Sequence, residues 1–65
     1  MPSSVIRDWN YDPGDARLDI LFVSGRRYSY HDVPDRIAQG MRKAVSKGRY
    51  FNRRVRDRFR FTLER

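Results

Sequence analysis

Apolar side chains recur along this 65-residue chain with two periods, and the change from one to the other marks its elements. Val5 to Tyr11 is rich in branched and aromatic residues and stops at "YDPGDAR", where Pro13 and Gly14 set a reversal. Arg17 to Val23 alternates, with Leu18, Ile20 and Phe22 on one face and Asp19, Leu21 and Val23 on the other. Both runs read as strands. The turn "VSGRR" leads into "RYSYH", whose tyrosines share a face because strand side chains repeat every two residues. A two-residue Ser24-Gly25 turn would set Tyr28 opposite Leu21 and Tyr30 opposite Asp19, whereas a three-residue loop would set them opposite Phe22 and Ile20.

The period then lengthens. Val33 before Pro34 is held extended, and Pro34 suits a first helical position, so a helix begins there. Ile37, Met41 and Ala44 or Val45 form its sheet-facing stripe. Ser46 can cap a second helix from about Lys47 to Asp57, with Phe51 and Val55 inward and Arg49, Arg53 and Arg56 outward. Phe59, Phe61 and Leu63 alternate with Arg60, Thr62 and Glu64, which reads as a closing strand. The expected architecture is α+β: a three-stranded antiparallel meander, two short helices and a short C-terminal strand, in one domain over residues 1–65.

Charge changes this picture more than composition does. The net charge is +7, yet residues 1–45 set seven basic residues against six aspartates, and the excess falls in the last third. "SKGRYFNRRVRDRFRF", residues 46–61, holds seven lysines and arginines against Asp57 alone. Such asymmetry points to a polyanionic partner attracted by a local field. All but two of the fifteen basic residues are arginine, whose planar fork suits phosphate and stacks on rings.

Candidate chemistry is sparse. His31 is the lone histidine, cysteine is absent, and the eight acids lack the pairing that general acid-base work needs, so no enzyme is expected. "DPGD" lacks the alternating ligands of a calcium loop, and the four glycines form neither a phosphate loop nor a dinucleotide fingerprint. No cofactor or metal is expected. The absence of cysteine, of an apolar leader and of any membrane-length run makes the cytoplasm the expected compartment. Of nine aromatic residues, Phe22, Phe51, Phe59 and Phe61 are core by spacing, and Tyr28, Tyr30, Tyr50 and Trp9 are the candidates for stacking on bases.

These residues also carry a resemblance. "SSVI", "YDPGDARLDILF", the pair Tyr28 and Tyr30, "VP" and "SKGRYFN" followed by an apolar Val55 resemble the KTSC domain, a small module named for its place at the C-terminus of some lysyl-tRNA synthetases. The resemblance runs nearly end to end. It implies no enzymatic activity and, as supposed for the family, RNA binding. Asn10 stands where the pattern leads one to expect glycine, so a left-handed bend is expected there, and Arg27 replaces a frequent apolar residue.

The expected function is therefore a small nucleic-acid-binding module, with RNA, tRNA or single-stranded, ahead of DNA. Lys47, Arg49, Arg53, Arg54, Arg56, Arg58 and Arg60 would hold phosphates, while Tyr28, Tyr30 and Tyr50 would stack on bases. The alternative is a protein-interaction module that docks an acidic partner through the same patch. Binding to an anionic membrane surface is a weaker third.

Overall fold

A computed structural model describes residues 6–64. The strands β1 (Ile6–Asp12), β2 (Arg17–Phe22) and β3 (Arg27–Tyr30) are followed by α1 (Asp35–Lys43), α2 (Lys47–Arg54) and β4 (Phe61–Glu64). All neighbours are antiparallel, and the four-stranded sheet has the order β1-β2-β3-β4. This is the α+β arrangement that the two periods predict. Val5, expected to open the first strand, lies outside the described residues.

One face of the sheet forms the core. Leu18, Ile20, Phe22 and Tyr30 are buried there against Met41 of α1, Phe51 of α2, and Val33 and Val55 beside the helices. Tyr11 ties β1 to the segment before α1 by donating its hydroxyl to the Val33 carbonyl (2.7 Å), and the Val33 amide donates to Ala16 (2.8 Å). The other face is polar. Its one buried polar side chain among the described residues, Ser29, contacts Asp19 (2.8 Å) and Glu64 (3.0 Å) through its hydroxyl.

The β2–β3 hairpin takes neither register set out above. Tyr28 pairs with Ile20 and Tyr30 with Leu18. The loop does have three residues, but they are Val23, Ser24 and Gly25. The Gly25 amide donates to Phe22 (2.9 Å), and the Phe22 amide donates to Arg26 (3.0 Å). Gly25, at φ 93°, supplies the left-handed residue with which a three-residue hairpin loop ends. Phe22 can thus stay buried, and Val23 becomes an exposed loop residue rather than the last residue of β2.

Other boundaries shift for similar local reasons. Pro34 caps α1 from an extended conformation (ψ 152°), so the helix starts at Asp35. Ala44 is also extended (ψ 135°), which ends α1 and throws Val45 fully into solvent; Ala38 and Met41 form the buried stripe in its place. Ser46 caps α2 as expected, accepting from the Arg49 amide (3.3 Å). That helix ends three residues before Asp57. The Val55 and Arg56 amides both donate to the Phe51 carbonyl (2.9 Å each), and Asp57 turns left-handed at φ 64°. Asn10 sits in β1 with no positive φ, so the expected bend does not occur there; among the described residues Ala16, Asp32 and Asp57 are the non-glycine positions that adopt one. Phe59 is half-buried before β4, and Phe61, expected in the core, is 56% exposed because β4 lies at the sheet edge beyond the helical cover.

The helices meet through a ring laid on a glycine. Tyr50 of α2 donates its hydroxyl to the Ile37 carbonyl of α1 (2.9 Å) and crosses Gly40 so closely that a Cβ there would lie 2.7 Å from Tyr50 Cζ and 2.9 Å from Cε2. Gly40→Ala gains about 1 kcal/mol of helix propensity, but overpacking costs about 1–3 kcal/mol, so a net loss of stability is expected in denaturant melts. In a Tyr50→Ala background the obstruction is gone. There the same Gly40→Ala change should stabilise by up to about 1 kcal/mol, a reversal of sign visible in a double-mutant cycle.

Candidate nucleic-acid interface

The phase of α2 decides which of its side chains meet solvent. With Phe51 and Val55 buried, Arg49, Arg53 and Arg54 are exposed, and they line a shallow groove of about 370 Å³ beside the fully exposed Val45. Arg56 lies beyond the helix end, so it leaves the outward face expected for it. Its guanidinium lies 3.4 Å from Asn52 Oδ1, and both residues border a second cleft described below. Among the described residues, ion pairs form at Arg17, with Asp12, Asp15 and Asp19, and between Arg60 and Asp32. The arginines of α2 and of the turn after it have no carboxylate at ion-pair distance among the described residues. Arg17 is the contrary case: its pKa is raised, chiefly by the charge of Asp19 and a hydrogen bond to it.

Three of the expected phosphate ligands have duties within the fold. Lys47 Nζ donates to the carbonyls of Ala44 (2.8 Å) and Arg42 (3.1 Å), closing the C-terminal end of α1. Arg58 Nε donates to the Arg53 carbonyl (3.1 Å) at the end of α2. Arg60 faces Asp32 across 3.1 Å, with both side chains about four-fifths exposed, an arrangement that water and salt weaken. Their positive charge remains, but their side chains are less free to move than those of Arg49, Arg53 and Arg54.

The aromatic residues gather in one place. A cleft of about 570 Å³ opens where α2 ends beside β3 and β4, with Tyr28, Tyr30 and Phe61 on its floor and Arg26, Arg56 and Asn52 at its sides. Tyr28 and Tyr30 stack at 6.2 Å between ring centres. Phe61 leans on both, at 5.3 and 5.6 Å. Phe61 is the residue that sequence reasoning misses, since alternation assigns it to the core; the signal that finds it is the edge position of β4. The expected trio of stacking tyrosines divides: Tyr50 is engaged between the helices, Tyr30 is buried in its ring, and Tyr28 is half-buried with an edge toward the cleft. Trp9 is half-buried on β1, where Arg42 of α1 lies 5.8 Å from its ring centre.

Burial pushes the Tyr30 hydroxyl up to about 12, helped by Tyr28 and, more weakly, by Asp57, and opposed by Arg56. A phenol with its folded pKa above the unfolded value of about 10 contributes stability that is complete below that value and fades as pH rises toward 12. Stability should therefore fall over this window relative to Tyr30→Phe, which has no proton to release. Urea melts of both proteins between pH 9 and 12 check this. A constant difference between them would contradict the burial.

Comparison with known proteins identifies the family to which this fold belongs. The sequence model of the KTSC domain matches residues 2–59. A lysine–tRNA ligase of Nostoc punctiforme is 36% identical over 58 residues, which cover 89% of this chain and 10% of that protein, so the chain spans about a tenth of such relatives. An uncharacterised protein of Stutzerimonas stutzeri is 40% identical over 80% of this chain and 73% of its own length. The crystal structure of a KTSC domain protein from Yersinia pestis superposes with a TM-score of 0.88 at 38% identity, covering 97% of this chain and 89% of the other. With sequence and fold both matched over most of its length, the chain belongs to the KTSC domain family.

Proposed function

We propose that this chain is a small non-enzymatic module that binds RNA, single-stranded or tRNA in preference to DNA. The observation that carries the reading is the adjacency of two features: exposed arginines on α2 that have no carboxylate partner among the described residues, and an aromatic cleft flanked by Arg26 and Arg56 where that helix ends. Arg49, Arg53, Arg54 and Arg56 hold phosphates most directly, with Lys47, Arg58 and Arg60 adding to the field. Phe61 and the edge of Tyr28 offer a face to an unpaired base, with Tyr30 on the cleft floor beneath them. The likeness to lysine–tRNA ligases supports RNA over other polyanions. No helix among the described residues is long and apolar enough to cross a membrane, and the cytoplasm, where RNA is met, is the compartment that suits this reading.

Affinity for a short single-stranded RNA should fall with salt, log K dropping by about 0.7 for each phosphate neutralised per tenfold rise. Arg53→Glu/Arg54→Glu should flatten that slope by about 1.4 or more while leaving the circular dichroism spectrum unchanged, as both side chains are exposed. Phe61→Ala should weaken binding by about 1–3 kcal/mol with no change of slope, since stacking releases no counterions. Fluorescence anisotropy at several salt concentrations measures all three. A protein retained in a pull-down after nuclease treatment would favour an acidic protein partner instead.

A further inference from the structure

The two edges of the sheet are built differently. β1 carries an irregularity between Ile6 and Asp8 and has Arg7, Asp8 and Asp12 along it, features that discourage a further strand. β4 shows no irregularity in its pairing with β3, and all four of its residues are exposed, with Phe61 at 56% and Leu63 at 41%. Two apolar side chains on a regular open edge invite another strand.

The hydrogen-bond phase of that edge is fixed. The His31 amide donates to the Arg60 carbonyl (2.9 Å), so the main-chain groups of Arg60, Thr62 and Glu64 face β3, and those of Phe61 and Leu63 face outward. An antiparallel partner must therefore be met through Phe61 and Leu63. If that partner is β4 of a second copy, a two-fold axis beside Thr62 sets Phe61 opposite the partner subunit's Leu63 and Leu63 opposite the partner subunit's Phe61. Each pair exchanges two main-chain hydrogen bonds. The same register brings Arg60 opposite the partner subunit's Glu64, and Thr62 opposite the partner subunit's Thr62, as close pairs with Cα atoms about 4.5 Å apart. Apolar meets apolar on one face, and opposite charges meet on the other. Moving the axis by half a residue would put apolar side chains opposite polar ones, because a one-residue slip exchanges the faces.

We propose that β4 pairs antiparallel with β4 of a second copy, centred on Thr62, to give a symmetric dimer with one continuous sheet. An axis perpendicular to the sheet keeps both pairs of helices on the same side. There is room for them, since the front of β4 is uncovered in each copy. The interface is short, so the dimer is weak and its population depends on concentration. The proposal does not rest on RNA binding.

Three measurements on the full chain test it. Sedimentation velocity should show a monomer–dimer equilibrium that shifts with concentration. Arg60→Glu and Glu64→Arg should each weaken dimerisation by about tenfold, because symmetry makes every single change act twice, and the combined swap should restore it. The chain has no cysteine, so Thr62→Cys places a single thiol at the axis, where the Cα separation suits a disulfide. On mild oxidation this variant should cross-link much faster than Ser24→Cys, whose thiol sits in the exposed β2–β3 loop. Monomer at every concentration, with Thr62→Cys oxidising no faster than Ser24→Cys, overturns the proposal. Single charge variants that weaken the dimer without rescue by the swap overturn the register.

Discussion

Phe51 enters the sheet between Phe22 and Tyr30, its ring meeting each of theirs edge to face at 5.4 and 5.3 Å, and the orientation of everything else on α2 depends on that contact. Burying such a ring contributes about 2–3 kcal/mol, which no single surface interaction here can match. Once Phe51 is inward, Val55 one turn later is inward as well, and the arginines between them have only solvent to face. Tyr50, beside Phe51, is carried across to α1, where only a glycine leaves room for its ring. The same anchor places α2 against β2 and β3, so β4 joins a sheet whose helical cover has already ended.

The distribution of charge has a local cause of its own. Arg17 collects Asp12, Asp15 and Asp19 within the β1–β2 hairpin, so acids that could have balanced the C-terminal third are already engaged with a base nearby in sequence. The α2 arginines repel one another instead. At physiological ionic strength that repulsion is screened over about 8 Å, so the fold tolerates it, while a polyanion laid along the surface would turn it into attraction. A concentration of arginine without carboxylate partners among the described residues is thus a modest burden on stability and a large term in any encounter with phosphate.

Much of this was legible in the sequence, because the two periods of apolar residues and the Ser46 cap are local signals that tertiary packing reinforces. The order of elements and the outward face of Arg49 and Arg53 follow from them. What was not legible turned on alternatives that local pattern leaves nearly equal. Val23 and Phe22 are both apolar and either could close the hairpin; the larger ring is buried and the left-handed Gly25 fits that choice, which sets the tyrosine register. The end of α2 depends on Asp57 accepting a left-handed conformation, which moves Arg56 from the helix face to the cleft. Phe61 alternates as a core residue should, but alternation says which face a side chain takes and not whether anything covers it. Cover is a property of the layers above the sheet, and for β4 those layers are missing.

That uncovered strand links the ligand reading to the proposed assembly. On the front, Phe61 rests against Tyr28 and Tyr30 and shields part of their rings, yet more than half of it stays in water, a cost that a small domain would avoid if the ring served packing alone. A base stacked on that ring approaches along the normal to the sheet, whereas a second β4 approaches within its plane through the Phe61 and Leu63 main chain. The two directions are perpendicular, so one occupant need not displace the other. In a two-fold pair the aromatic floors would lie side by side on one face, between two sets of α2 arginines, and a strand of nucleic acid crossing the axis would meet both.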